Sequence, residues 1–310
     1  MAAQFPPQTD SPPWPALPRE GWQATYETLH MWAQIVGKTR LALAPMENHW
    51  WQVALYVTVR GLTTSPMPHG KSTVAVEFDF LSHELIVQTS DGARRSFALT
   101  PMTVADFFAR YLAALGELGI HPIIHPSPVE VKIAIPFAQD HEHAGYAPES
   151  AHACWQILVN TQRVMARFRS GFTGKQSPIH FFWGSFDLAS TRFSGRRAPK
   201  HPGGAPNCPD RVMVEAYSHE CSSCGFWPGD GSNPPSFYAY AYPEPAGYRQ
   251  RLAEPGAARF DLQAGEFLLS YEALRAMPDP DRMLLRFFQS TYAAAADLAR
   301  WDRGALERTL

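Results

Sequence analysis

The stretch Trp155-Gln-Ile-Leu-Val-Asn-Thr-Gln-Arg163 repeats an earlier one, Trp32-Ala-Gln-Ile-Val-Gly-Lys-Thr-Arg40. In each, an aliphatic pair stands three and four residues after the tryptophan, and an arginine stands eight after it. Each stretch lies on a segment of helical periodicity; Trp22, Tyr26, Leu29, Ala33 and Val36 form the apolar stripe of the first, which runs from Gly21 to about Arg40. Downstream of each comes a histidine with two bulky aromatics, His49-Trp50-Trp51 and His180-Phe181-Phe182. A helix expected at about 281–300 carries Phe287-Phe288, as helix 102–118 carries Phe107-Phe108. This order predicts a degenerate internal duplication. The expected fold is α+β, with two pseudo-repeated halves, each an antiparallel sheet of three or four strands with flanking helices.

Between the helices, residues 49–60 and 129–135 read as strands, with further strands at 73–80, 84–89 and 95–99. Ser90-Asp91-Gly92 is a hairpin signal, and Thr63–Lys71, with two prolines and a glycine, reads as a turn. In the second half strands are expected at about 211–217, 236–242 and 265–271, with long irregular segments at 192–210 and 218–235. The domains are then a proline-rich tail over 1–20, with six prolines, a first repeat over 21–140 and a second over 141–310.

Composition bounds the function. The 310 residues are 45% hydrophobic, 18% charged and 13% aromatic, as in a folded chain with a ring-rich interior. A net charge of -2 without a basic stripe argues against nucleic acid. No apolar run approaches the ~18 residues of a membrane span, and Met1–Pro18 has no leader pattern. Four cysteines make no disulfide framework, so a cytoplasmic protein is expected.

The long segments of the second half place the candidate site there, since such segments inside compact domains usually carry function. The run from Ser177 to Arg196 sets His180, Asp187, Arg192 and Arg196 among apolar residues. Asp187 is a candidate general acid–base or ligand-orienting group, or one half of a structural Asp–Arg pair. On one continuous strand His180 and Asp187 would face opposite ways unless Gly184 is a bulge. His219 and Glu220 are the other catalytic candidates, and with His180 they form a possible ligand set for a divalent transition metal. The alternative is a His–Glu pair tying down a loop. Arg192 and Arg196 are candidate anion contacts; Trp183, Trp227 and Tyr240 are candidate pocket walls. Cys221-Ser-Ser-Cys224 lacks a second pair for zinc and a following helix for a thioredoxin-like motif. Asp140-His-Glu-His143 reads as a solvated linker.

Three blocks, residues 180–199 (HFFWGSFDLASTRFSGRRAP), 215–229 (EAYSHECSSCGFWPG) and 237–245 (FYAYAYPEP), resemble a bacterial domain-of-unknown-function family, number 5996 in that series. The resemblance covers nearly the whole chain and implies a soluble, single-unit bacterial protein; it brings no reaction and no catalytic residue. The expectation is a small-molecule enzyme with a polar and aromatic pocket in the second repeat, metal-dependent if His180, His219 and Glu220 meet. A non-enzymatic binding or scaffold protein is the alternative.

Overall fold

The computed structural model describes residues 14–230 and 232–308. The first half begins with helix α1 (Arg19–Leu43), followed by β1 (Tyr56–Val57), β2 (Gly61–Thr63), β3 (Met67–His69), β4 (Ser72–Asp79), β5 (Glu84–Thr89), β6 (Arg94–Ala98) and α2 (Val104–Gly116). The second begins with α3 (Pro148–Ser170), then β7 (His180–Phe182), β8 (Asp187–Arg197), α4 (Asp210–Ala216), β9 (His219–Trp227) and β10 (Ser236–Tyr242). It ends with β11 (Arg259–Asp261), β12 (Glu266–Ser270), α5 (Tyr271–Arg275), α6 (Pro280–Leu298) and α7 (Arg303–Leu306). The fold is therefore α+β, with two antiparallel six-stranded sheets. One runs β1-β2-β4-β5-β6 with β3 paired to β4; the other runs β11-β12-β10-β9-β8-β7.

The helix boundaries follow from capping chemistry. Thr103 accepts the amide of Asp106 (3.0 Å) ahead of α2, and Asp279 accepts the amide of Arg282 (3.1 Å) ahead of α6. Pro148 and Pro280 sit in first turns, where an amide would have no partner. In the first half Trp32 stacks on Phe107 at 4.7 Å, with Phe78 of β4 behind. In the second, α3 and α6 cover one face of the sheet.

The halves meet edge to edge. Leu55 and Phe181 exchange both backbone hydrogen bonds, at 2.9 and 2.8 Å. That register puts Tyr56 opposite His180, and their rings lie 5.6 Å apart. Each edge strand then turns into its neighbour in the same way. Val57 pairs with Leu62 and Phe182 with Asp187, each pair enclosing four residues. Leu62 thus holds in the first half the place that Asp187 holds in the second.

Several expectations need correcting. Residues 49–60 are not one strand: Asn48–Val53 is a 3-10 turn with His49 and Trp50 at positive φ. Side chains bind it there, since Gln52 accepts the Glu47 amide (3.1 Å) and His49 Nδ1 bonds the Ala216 carbonyl (2.9 Å). Residues 129–135 form no strand, because Gln34 and Asn207 side chains take the backbone bonds that a ladder would need. Residues 211–217 are mostly helix α4, started by Pro209-Asp210, a signal that outweighs the β-branched valines. The segment 218–235, expected to be irregular, contains β9, whose small residues let Tyr238 lie over Gly225. Of the proline-rich segment, residues 1–13 lie outside the described residues. Trp14 and Leu17 are buried, and Trp14 packs on Phe237 and Tyr271.

The repeated arginines have diverged. Arg40 donates to the Thr64 carbonyl, whereas Arg163 grips Asp281 of α6 with both terminal nitrogens, and Trp14 Nε1 donates to the same carboxylate (3.1 Å). Removing one partner of such a buried pair strands the other charge. Asp281→Ala should cost about 3–5 kcal/mol in urea unfolding, and Arg163→Met in the same chain should restore most of it. Additive losses would show that the pair is not the unit.

Candidate functional site

Side chains along β8 alternate. Leu188, Ser190 and Arg192 face α3 and α6, while Asp187, Ala189, Thr191 and Phe193 face the other way. That second face is only partly roofed, by Trp50 and Trp51, by Glu130 and by α4. Beneath the roof lies a cavity of about 320 Å³, floored by Asp187, Tyr238, Tyr240 and Glu266 and walled by Glu130, Tyr217 and Trp227. It continues past Asp187 into a second chamber of about 190 Å³ toward His49 and Phe193.

Asp187 is the centre of the site. It is buried, and it accepts hydrogen bonds from Ser185 Oγ and from Tyr238 Oη. Burial pushes its carboxyl above the usual range, against the pull of these two donors. Glu130 and Glu266 stand on either side. Burial, and then the neighbouring Asp187, raise each of them from the ordinary 4.5 to about 7. Tyr217 and Tyr240 share a hydroxyl–hydroxyl bond of 2.7 Å, and burial holds both phenols neutral.

The first half braces this centre. Gln34 of α1 clamps Val129 through amide and carbonyl, both at 2.8 Å, which fixes the segment carrying Glu130. His30 Nε2 donates to the Gly184 carbonyl (2.8 Å), steadying the turn that carries Ser185. The Glu130 carboxyl lies against Gly184, where a Cβ would stand 2.1 Å from Oε1, so a side chain there would displace the carboxyl.

The sequence candidates divide. Asp187, Trp227 and Tyr240 line the cavity. His180 and Asp187 are not on one strand, because Trp183–Phe186 is a tight turn; the hairpin returns Asp187 to the face that His180 occupies. His180 nevertheless stays outside the cavity, fully buried, with neither ring nitrogen bonded among the described residues, and burial beside Arg40 and Arg169 lowers it to about 3. Trp183 is structural: its indole donates to the Val53 carbonyl (2.7 Å) and fills the space over Gly37. Glu220 points to the helix side and pairs with Arg196 (2.7 Å), which also binds the Ala299 carbonyl and so ties β8 and β9 to the end of α6. Arg192 is on the helix face and cannot reach the cavity.

The metal set does not assemble. His180 pairs with Ala189 and His219 with Arg197, eight residues further along β8 and beyond a register shift, so the two rings enter from different positions of the strand. Among the described residues no three His, Cys, Asp or Glu side chains are placed to hold a metal ion. Cys221 and Cys224 lie on opposite faces of β9, buried and unpaired, with both thiols pushed up to about 12. Asp140 is buried rather than solvated, binding His143 Nδ1 (2.8 Å) and two backbone amides of its own turn. Glu130 and Glu266 were not among the sequence candidates. Glu266 had a signal, as the polar alternate of an apolar strand; Glu130, held in an irregular segment by Gln34, had none.

These carboxyls give a pH signature. Unfolded, Glu130 and Glu266 ionise near 4.5; folded, they keep their protons to about 7. Their contribution to stability is therefore complete below about pH 4.5 and is lost as pH rises to about 7. Glu130→Gln and Glu266→Gln should flatten stability across that window and raise it at pH 8, by on the order of 1–3 kcal/mol each. Chemical denaturation at pH 4.5, 6 and 8 measures this, and an unchanged slope would contradict the assignment.

No helix among the described residues is long and apolar enough to cross a membrane. Comparison with curated proteins and with solved structures returned no match. Residues 14–308 match the family of unknown function DUF5996, and the chain belongs to that family.

Proposed function

We propose that this chain is a cytoplasmic small-molecule enzyme that performs acid–base chemistry in the acidic, tyrosine-lined cavity of its second repeat. The repeats are read as residues 21–140 and 141–310, the first supplying part of the roof. The observation that carries the reading is the pair of carboxyls raised to about 7 on either side of buried Asp187. A carboxyl that titrates near neutrality is about half protonated at working pH, and can give a proton in one step and take it back in the next. Glu130 and Glu266 are assigned these roles. Asp187, fixed by Ser185 and Tyr238, orients a substrate hydroxyl or amine. Among the described residues neither Lys nor Arg lines either chamber, Lys175 being held behind His49 at the end of the second, so the first chamber suits a neutral or cationic substrate. Trp227 and the tyrosines supply flat apolar surface for it.

A binding protein for an organic ammonium ion is the second reading, favoured by the same three carboxyls set among tyrosine rings. The two separate as follows. Ethanolamine and a methyl glycoside are the probes, followed by thermal shift and by NMR of the small molecule. Either reading expects a saturable rise in Tm that Asp187→Asn removes; no rise, or the same rise in Asp187→Asn, would overturn both. For an enzyme, Glu130→Gln with Glu266→Gln keeps binding within about threefold while turnover falls at least ~100-fold. Binding without turnover by the unaltered chain makes it a binding protein.

A further inference from the structure

On the far side of β8 lies a larger cavity, of about 470 Å³, between the end of α3, the outer face of α6 and the chain around α7. Its lining includes Arg167, Arg192, Arg286, Arg303 and Arg308 against two acids, Glu254 and Glu307. Both acids are engaged: Glu307 takes Arg303 Nε (2.6 Å) and Nη2 (3.1 Å), and Glu254 lies 3.5 Å from Arg286. Arg303 also holds Asp297 (2.9 Å). The lining is therefore basic.

Arg192 distinguishes this cavity from a patch of surface arginines. It is 96% buried, from an exposure of 4%, and no carboxylate among the described residues lies within ion-pair distance of it. Its guanidinium is caged by rings, 3.5 Å from the centre of Phe168, 4.3 Å from Tyr292 and 4.8 Å from Phe172. One terminal nitrogen donates to the Phe168 carbonyl, while Nε has no hydrogen-bond partner among the described residues. Glu307 is the carboxylate whose charge reaches it, but only from beyond ion-pair distance, and that carboxylate is already bonded to Arg303. A buried guanidinium with no anion in contact is costly, and ring contacts return only part of that cost. Tyr292 and Phe168 hold it in one orientation, as a receiving group must be held.

We infer that this cavity is a second site, which binds the phosphate or carboxylate group of a small organic anion, with Arg192 at its base and Arg286 and Arg308 at its rim. The volume exceeds that of a bare oxyanion and accommodates the rest of a small molecule. Guanidinium groups suit both anions, as forked donors that never lose their charge. The site stands apart from the acidic cavity, with the sheet between them, and does not depend on the function proposed for that cavity.

Inorganic phosphate, acetate and chloride, added at matched ionic strength, test the inference by thermal shift and by the arginine Nε signals in ¹⁵N NMR. Phosphate or acetate should give a saturable rise in Tm that chloride does not give, and should move one protected Nε resonance. A response to phosphate alone assigns a phosphate ligand, and one to acetate alone a carboxylate. Arg286→Gln with Arg308→Gln alters exposed side chains only and should weaken binding about tenfold, the loss of a charge-assisted contact. Arg192→Met should abolish the response if the variant folds; the rim pair decides the matter if it does not. Asp187→Asn should leave anion binding unchanged, so failure here is distinct from failure of the acid–base reading. Equal response to all three salts, or rim variants that bind as the unaltered chain does, would overturn the inference.

Discussion

The fold depends on two backbone hydrogen bonds, those that Leu55 and Phe181 exchange across the boundary between the halves. A sheet edge is a row of unpaired amides and carbonyls, and each half has one at the start of its first strand. Pairing these edges satisfies both and aligns the two hairpins. Val57–Leu62 and Phe182–Asp187 then turn away from the junction in the same sense. The roof of the cavity follows from this, because the turn at Asn48–Val53 and the segment carrying Glu130 belong to the first half yet overhang the sheet of the second. Gln34 of α1 holds the Glu130 segment through the Val129 backbone, and His30 holds the Gly184 turn beneath it.

Much of this was legible in the sequence. Helical periodicity and the repeated order marked α1, α2, α3 and α6, and the strands expected at 73–80, 84–89, 95–99, 236–242 and 265–271 are β4, β5, β6, β10 and β12, since in these segments local preference and burial agree. The Trp-to-Arg repeat disclosed the two-half plan. What failed were segments whose backbone is satisfied by distant side chains. His49–Trp51 looks like a strand until Ala216 is known to accept from His49, and 129–135 looks like one until Gln34 takes its bonds. In the site, Asp187, Trp227 and Tyr240 stood out as polar or aromatic residues in dense local patterns. Glu130 and Glu266 join them only through tertiary contact. His180, His219 and Glu220 were suggested by residue type and by their place at strand ends, and the β8 partners of the two histidines stand eight residues apart.

The second sheet keeps opposite charges apart. Its open face gathers Asp187, Glu130 and Glu266 among tyrosines, whereas its helix face carries Arg192 in a cage of rings. Glu130 and Glu266 keep their protons to about pH 7 through burial and the neighbouring Asp187, and the guanidinium cannot shed its own within the ordinary range. A barrier one strand thick therefore separates a proton-exchanging compartment from one of fixed positive charge.

The placement of Asp187 and Arg192 on β8, an odd number of residues apart, also governs how the strand can be laid down. Side chains change face with every residue, so a pairing displaced by one step would drive the carboxyl into the apolar layer under α3 and α6. The same step would carry the guanidinium out of its aromatic cage and toward Glu130. Each misplaced ion would cost several kcal/mol. A strand of apolar residues alone could slide with little loss; this one carries charges that allow a single alignment with its neighbours.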